Sequence, residues 1–408
     1  MAANSLEFNQ VATILNTIQQ QVTGRASIAP VDTSTFATAA DIVLKTGYDA
    51  IYKAIGLVFG PTLMSIRPYN RKFGGLELPM DAWTVHTRKI ALLDNTFEEN
   101  DAFKWPVTWD DNENPASGDG ESVDQQIIKK AKPVQTNFYG ANTYQDHYTI
   151  FDKPLKVAFS SPAELGRFIS MITQNVTNMM EQARENFARY TLVNYMGALY
   201  DLHSGTDTRV INLLTEYNAL LGLSGADALT AQTVYQPENF PSFIKWVAAR
   251  IKQISREFAD RSIKYQSPIN GQYITRHTPA DRQRIFLFSA LQDQMETMVL
   301  SSVFHDEYLK QAYTEAVSFW QNINSPDTIN VTPGYMGPAG SPIKGAAVNL
   351  TKVFGVIMDV DACGYGVIES TMKAAPYNAR GEYQNYFLRD YHKNYCDTSE
   401  KGVLLLLA

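Results

Sequence analysis

One long helical signal runs from Ser161 to about Tyr200, and nothing elsewhere in the chain could pair with it. Ser161-Pro162-Ala163-Glu164 gives an N-cap serine, a proline at the first helical position and a glutamate at the third, the pattern of a capping box. Leu165, Phe168, Ile169, Ile172, Val176, Met179, Met180, Ala183, Phe187, Tyr190 and Asn194 then recur on one face. At ~1.5 Å per residue such a helix is roughly 55–60 Å long. A bundle or coiled coil would need a second heptad run of that length, and none exists, so the spacing predicts a single spine laid across a sheet.

The far end of the sequence supplies sheet candidates. Residues 376–396 and 401–408 read as two strands rich in tyrosine and leucine, closed by a short polar turn from Asp397 to Lys401. The run Leu404 to Leu407 would be a contiguous apolar strand in water, so it is expected inside a sheet, tying the tail into a core. Upstream, Pro241 opens a helix with apolar residues at Phe243, Ile244, Val247, Ala248, Ile251, Ile254 and Phe258. Arg284 to Ser289 reads as a buried strand running into a helix from Leu291 to Val299. Thr328 to Val331 and Val353 to Val360 read as further strands, with Pro333 to Gly345 a surface loop between them and Gly345, Gly364 and Gly366 as turn residues. Together these make a compact α/β unit over 236–370. Asp201 to Gln236 is a linker region with one short helix.

The first 150 residues have less core of their own. Helical spacing covers Asn4 to Thr23 and, after a polar stretch, Asp41 to Phe59, stopped by Gly60-Pro61. These helices fit either an arm or a helical hairpin with its own core. From 67 to 153 the helical signal disappears; prolines and glycines punctuate strand-like pieces at Thr84 to Ile90 and Thr143 to Ile150. A segment of this kind is expected to lie on something else, and ordering it is entropically costly without contacts from a partner.

Composition points to assembly. Charged residues make up 19% of the chain, against ~25% for typical domains, while aromatics reach 12% with 22 tyrosines. Low charge with many Tyr, Phe and Met is the make-up of interface cores. A net charge of −7 without a long basic run argues against tight gripping of phosphate backbones. The opening residues lack a secretory signal and no stretch approaches the ~20 apolar residues of a membrane span, which predicts a cytosolic product. Cys363 and Cys396 are far apart in sequence and form no Cys-x-x-Cys pair, so they are expected as core or strand thiols.

Chemistry-bearing motifs are weak. Asp110, Asn112, Asn114 and Glu121 nearly match calcium-loop spacing, but Pro115 stands where glycine is required and the flanks do not read as helices, so a solvated acidic loop is expected. Asp359-Val-Asp361 is the pair a metal-dependent nucleotide-sugar transferase would use, without the partner residues or phosphate loop such a site needs. The six histidines show no metal spacing, and lone serines and cysteines lack orienting partners. No catalytic residue, metal or cofactor is expected.

The tail, in order, holds Val353-Phe-Gly-Val-Ile-Met-Asp-Val-Asp361, then Met372 to Tyr377, then Asn378-Ala-Arg-Gly-Glu-Tyr-Gln-Asn-Tyr386. In these elements it resembles the major capsid proteins of tailed bacteriophages, most closely the phi-29-like podovirus group. The resemblance covers nearly the whole chain by element order more than by residue identity. It implies an α+β fold of the Hong Kong 97 type: an N-terminal arm (1–66), an extended E-loop (67–153), a P-domain with a spine helix (154–235), an A-domain (236–370) and C-terminal P-domain strands (371–408). It implies intersubunit anchors among Phe97, Phe103, Trp105, Trp109 and Phe138. The basic residues Lys129, Lys130 and Lys132 would pair with acidic ones within the loop or across a subunit boundary. The P-domain core would hold Phe168, Ile172, Val176, Met180, Phe187, Tyr383, Leu404 and Leu406. The implied function is a coat protein assembling into hexamers and pentamers of an icosahedral head around double-stranded DNA. A separate scaffolding protein and a portal would be partners, with assembly in the bacterial cytoplasm and no membrane. A cellular encapsulin-type shell and the transferase remain alternatives.

Overall fold

The computed structural model describes residues 8–23, 32–45, 71–78, 86–93, 125–126, 128, 130, 132–139, 141–159, 161–203, 208–300 and 313–407. The fold is of the mixed α+β class expected, organised on a 42-residue helix, Pro162–His203, here the spine helix. At ~1.5 Å per residue it is about 63 Å long. Ser161 caps it as its sequence predicts, accepting from the backbone N–H of Glu164 at 3.2 Å, while the Glu164 carboxylate pairs with Arg167. Its apolar face is buried where predicted, at Leu165, Ile169, Val176 and Phe187, but Tyr190 is 53% exposed and turns away from the core.

The C-terminal half of the spine helix lies on a five-stranded sheet. Its strands are β4 (Val210–Asn212), β14 (Gly402–Leu406), β11 (Val353–Asp359), β5 (Gln283–Phe288) and β6 (Tyr313–Val317), in that spatial order. β14 pairs antiparallel with β11 and parallel with β4; β11 pairs antiparallel with β5, and β5 parallel with β6. Phe286, Val356, Met358, Leu404 and Leu406 face the spine residues Phe187, Leu192, Val193, Met196 and Leu199. Ile285, Leu287, Ile357, Val403, Leu405 and Leu407 face the opposite way, against the helix Phe240–Ala259 through Phe243, Ile244, Val247, Ile251, Ile254 and Phe258. A strand covered on both faces has no polar side to show, which is why 403–407 is an unbroken apolar run. The tail therefore closes two cores at once.

This placement corrects the reading of the tail as a hairpin. β13 (Tyr383–Cys396) does not pair with β14. It is the middle strand of a three-stranded sheet between β12 (Cys363–Ala374) and β3 (Ala141–Phe151). Gly364 and Gly366, expected in turns, lie within β12. At Gly364 a Cβ would meet Leu78 Cδ1 at 2.9 Å and the Leu76 carbonyl at 3.2 Å, so its lack of a side chain serves the close approach of residues 76–78. The expected loop 333–345 contains a small hairpin, β8 (Gly334–Met336) with β9 (Pro342–Lys344), and β7 (Ile329–Val331) pairs with β10 (Val348–Leu350).

The N-terminal half of the spine helix carries the first two helices, α1 (Phe8–Thr23) and α2 (Thr33–Lys45). Val11, Leu15, Ile18, Phe36, Ala39 and Val43 share one core with Leu155, Leu165, Ile169 and Tyr386, so the pair packs on the rest of the chain as well as on itself. α2 begins eight residues before the expected Asp41, because Asp32 and Thr35 cap it reciprocally: the Thr35 N–H donates to Asp32 Oδ1 at 2.8 Å and the Asp32 N–H to Thr35 Oγ1 at 3.0 Å.

Candidate assembly site

Described parts of the predicted extended segment lie on other elements. Its first part, residues 71–78, straps the middle of the spine helix. Arg71 reaches Glu181 Oε1 at 3.2 Å and also pairs with Glu77; the Lys72 N–H donates to Glu185 Oε2 at 3.2 Å, and the Phe73 N–H to Glu315 Oε1 at 2.6 Å. Phe73 adopts a left-handed φ of 64°, which turns its ring into the core, where the Arg189 guanidinium lies 4.9 Å above it. Leu78 then bonds to the Tyr365 carbonyl on β12 at 2.9 Å. The polar residues Glu181, Arg184, Glu185 and Arg189 thus have a use that a hydrophobic stripe could not reveal. Arg184 extends the network to Asp390 at 2.8 Å and Ser370 at 2.9 Å across the three-stranded sheet.

Two strands follow, β1 (His86–Leu92) and β2 (Pro133–Tyr139), paired antiparallel from His86↔Tyr139 to Leu92↔Pro133. A two-stranded ribbon is marginal by itself, and this one is fastened at its base. Phe138 is buried against Tyr395 of its own chain, with ring centroids 5.4 Å apart. Lys89 Nζ lies 2.7 Å from Asp397 Oδ2 and also pairs with Glu400, which in turn pairs with Arg276. Burial alone would raise the Asp397 carboxyl, but the Lys89 ammonium and bonds from Lys89 and Ser399 hold it below the usual range. Burial alone would lower Lys89; the two carboxylates outweigh it and hold the ammonium above its usual value. On the other face of the ribbon Ile90 and Leu92 are each 58% exposed.

The turn that receives Lys89 reads in the sequence as a short polar connection between two strands. Instead Asp397, Thr398, Ser399, Glu400 and Lys401 are all buried. Arg209, fully buried, donates to the carbonyls of Thr398 at 2.6 Å, Glu400 at 3.0 Å and Gly402 at 2.9 Å, and to Ser267 Oγ at 2.7 Å. Lys401 Nζ donates to the carbonyls of Phe258 at 3.1 Å and Asp260 at 2.6 Å, where the helix Phe240–Ala259 ends and its last carbonyls carry partial negative charge. Burial lowers the Lys401 pKa. None of this carries a hydrophobic or spacing signature, so the sequence marks the polar turn but neither its burial nor Arg209.

Of the predicted core, Phe187, Leu404 and Leu406 meet in the core under the C-terminal half of the spine helix. Phe168 and Ile172 pack instead with α1 and α2, and Val176 is buried. Met180 and Tyr383 are half-buried, Tyr383 against Phe151 with centroids 5.6 Å apart. Lys130 and Lys132 are exposed. Phe97, Phe103, Trp105, Trp109, Lys129 and the acidic loop from Asp110 through Asn112 and Asn114 to Glu121 lie outside the described residues.

The two carboxylates of the transferase pair are each engaged by groups of the protein. Asp359 is buried and accepts from Thr278 Oγ1 at 2.6 Å and from the Asp361 N–H at 2.8 Å, while Asp361 pairs with Arg282 at 2.5 Å. Among the described residues no group of three or more His, Cys, Asp or Glu could hold a metal.

Among the described residues, one long spine helix crosses a sheet covered on both faces, with a polar strap and a tethered ribbon extending from it. Residues 106–406, close to three quarters of the chain, match the model of the Phi29-like phage major capsid protein family, and the chain belongs to that family. No curated protein matches. Among solved structures, the chain is similar to one in the capsid of Staphylococcus phage Andhra, at 10% identity over 85% of this chain and 86% of that one, with a TM-score of 0.49. A chain in the structure of head fiber and inner core protein gp22 of native bacteriophage P68 matches at 10% identity, over 83% and 85%, with a TM-score of 0.48. One in the bacteriophage PhiM1 mature capsid matches at 9% identity, over 83% and 87%, with a TM-score of 0.41.

Proposed function

We propose that this major capsid protein assembles into hexamers and pentamers of an icosahedral head of the Hong Kong 97 type enclosing double-stranded DNA. The family match over 106–406 carries the reading. In it, residues 1–66 form the arm, 67–153 the E-loop, 154–235 the P-domain with the spine helix, 236–370 the A-domain and 371–408 the closing strands, of which β14 joins the A-domain sheet. The strap 71–78 and the tethered ribbon base give the E-loop a fixed root, and exposed Ile90 and Leu92 are apolar surface that a neighbouring subunit would cover. Phe97, Phe103, Trp105, Trp109 and the lysines 129, 130 and 132 are the contacts assigned to that neighbour; Phe138 contributes by anchoring the root. One sequence can then accept differing neighbour angles in five- and six-membered rings, because the deformable part is hinged on a rigid one.

The function is geometric, and no catalytic role is assigned to any residue. Scaffolding and portal proteins are the partners this reading requires, and the head is built in the host cytoplasm. With a net charge of −7 the wall encloses DNA without gripping it. Coexpression with neighbouring genes followed by electron cryomicroscopy tests the reading: closed shells with six- and five-fold clusters are expected. Closed shells that copurify with a cargo enzyme, or small oligomers stabilised by nucleotide and manganese, would replace it.

A further inference from the structure

Cys363 and Cys396, 33 positions apart in sequence, are direct cross-strand partners on β12 and β13. The neighbouring pair, Ala362 and Asp397, shares a backbone hydrogen bond, from the Asp397 N–H to the Ala362 carbonyl at 2.7 Å. In an antiparallel ladder hydrogen-bonded and non-hydrogen-bonded pairs alternate, so the cysteines occupy a non-hydrogen-bonded pair. There Cα atoms sit about 4.5 Å apart and side chains approach most closely. That separation is inside the range of about 4.4–6.8 Å that a disulfide spans. Both are free thiols buried in the same core.

Access is unequal. Cys363 is fully enclosed, with Sγ 3.6 Å from Met358 Sδ. Cys396 lines a cavity of about 470 Å³ bounded by Asn194, Tyr335, Asn394 and the ribbon strand β2. Burial, then the proximity of the other sulfur, raises Cys363; burial also raises Cys396. Both are therefore held as thiols, and bulk reagents react slowly with them.

We propose that Cys363 and Cys396 form a latent cross-strand disulfide, closed by exchange with a small linear disulfide admitted through the cavity. Cys396 loses its proton and its sulfur attacks the reagent, R–S–S–R, breaking that bond and releasing one R–S⁻, which takes up the proton. Cys363 then loses its proton and attacks the Cys396 sulfur of the mixed disulfide, releasing the second R–SH. Two protein thiols are oxidised and one reagent disulfide is reduced to two thiols. The bond closes beside Asp397, the residue that holds Lys89, and so locks the seat of the ribbon. In a reducing compartment the pair stays open; transfer to an oxidising medium closes it.

The test treats the folded full-length protein with hydroxyethyl disulfide, blocks remaining thiols in denaturant and maps the peptides by mass. The expected result is loss of both alkylation sites, a chain lighter by two hydrogen masses, and a 363–396 linked peptide within one chain that dithiothreitol releases. Cys363→Ser should stop at one reagent half on Cys396, and Cys396→Ser should take up none. Two alkylated cysteines after treatment of the unsubstituted protein, a mixed disulfide persisting on Cys396, or linkage between chains would overturn the proposal without recourse to either variant.

Discussion

Lys89 and Asp397 form an ion pair at 2.7 Å between residues 308 positions apart, joining the base of an extended ribbon to the turn that enters the chain's last strand. Removing one member of a buried pair leaves the other charge without compensation, which costs more than the pair itself contributes. Lys89→Met should therefore destabilise the subunit by about 3 kcal/mol in chemical denaturation. Partial digestion should show the ribbon cut before the sheet core. The double change Lys89→Met with Asp397→Asn should recover part of the loss, because the orphaned charge is gone.

Arg209 satisfies two carbonyls of the same turn, Thr398 and Glu400, and that of Gly402 at the start of β14 from one planar fork. Lysine keeps the charge but offers its donors from a single point. Arg209→Lys is expected to leave at least one buried carbonyl unpaired, at about 1–3 kcal/mol each. The check is the denaturation midpoint of the subunit, and a loss no greater than that of an exposed Arg→Lys change elsewhere would refute the role.

His392 is fully buried, stacked on Phe187 with centroids 5.0 Å apart and beside Tyr144 at 4.9 Å, and neither ring nitrogen has a hydrogen-bond partner. Burial lowers its pKa; Asp390 opposes this and Arg184 adds to it. The folded state therefore holds a neutral ring while the unfolded chain takes up a proton below about pH 6.5. The contribution is present above that pH and lost as pH falls, by up to about 1.4 kcal/mol per unit. Melting curves from pH 7 to 5 should show this slope, and His392→Phe should remove that part of it while staying within about 1 kcal/mol of the parent at pH 7.

Leu404 and Tyr190 separate core from surface. Leu404→Ala opens a cavity between the spine helix and the sheet and should cost about 2–5 kcal/mol. Tyr190→Ala, on an exposed residue of the same helix, should cost the isolated subunit under about 1 kcal/mol. Comparable losses at both positions would mean that the helix does not face the sheet as described.

What could be read from the sequence was what repeats or punctuates. Ser161-Pro162 set the start of the spine helix, the stripe from Phe243 to Phe258 marked the second long helix, and the Leu404 run required burial in a sheet; that the strand is covered on both faces came from the fold. Pairing partners were illegible, because β13 and β14 look like neighbours in sequence while their ladders run to β12 and β3 on one side and to β11 and β4 on the other. Three-residue strands such as Val210–Asn212 are too short to show a period. Polar residues were undervalued for a related reason. Arg209, Lys401 and Glu181 are placed by carbonyls and carboxylates distant in sequence, and nothing local marks an arginine that will be buried.

The most direct measurement is the mass of the purified protein in solution by light scattering, alone and after coexpression with its neighbouring genes. A coat protein should give megadalton particles or ring-shaped intermediates in at least one of these conditions. A monodisperse monomer or dimer in both would contradict the account.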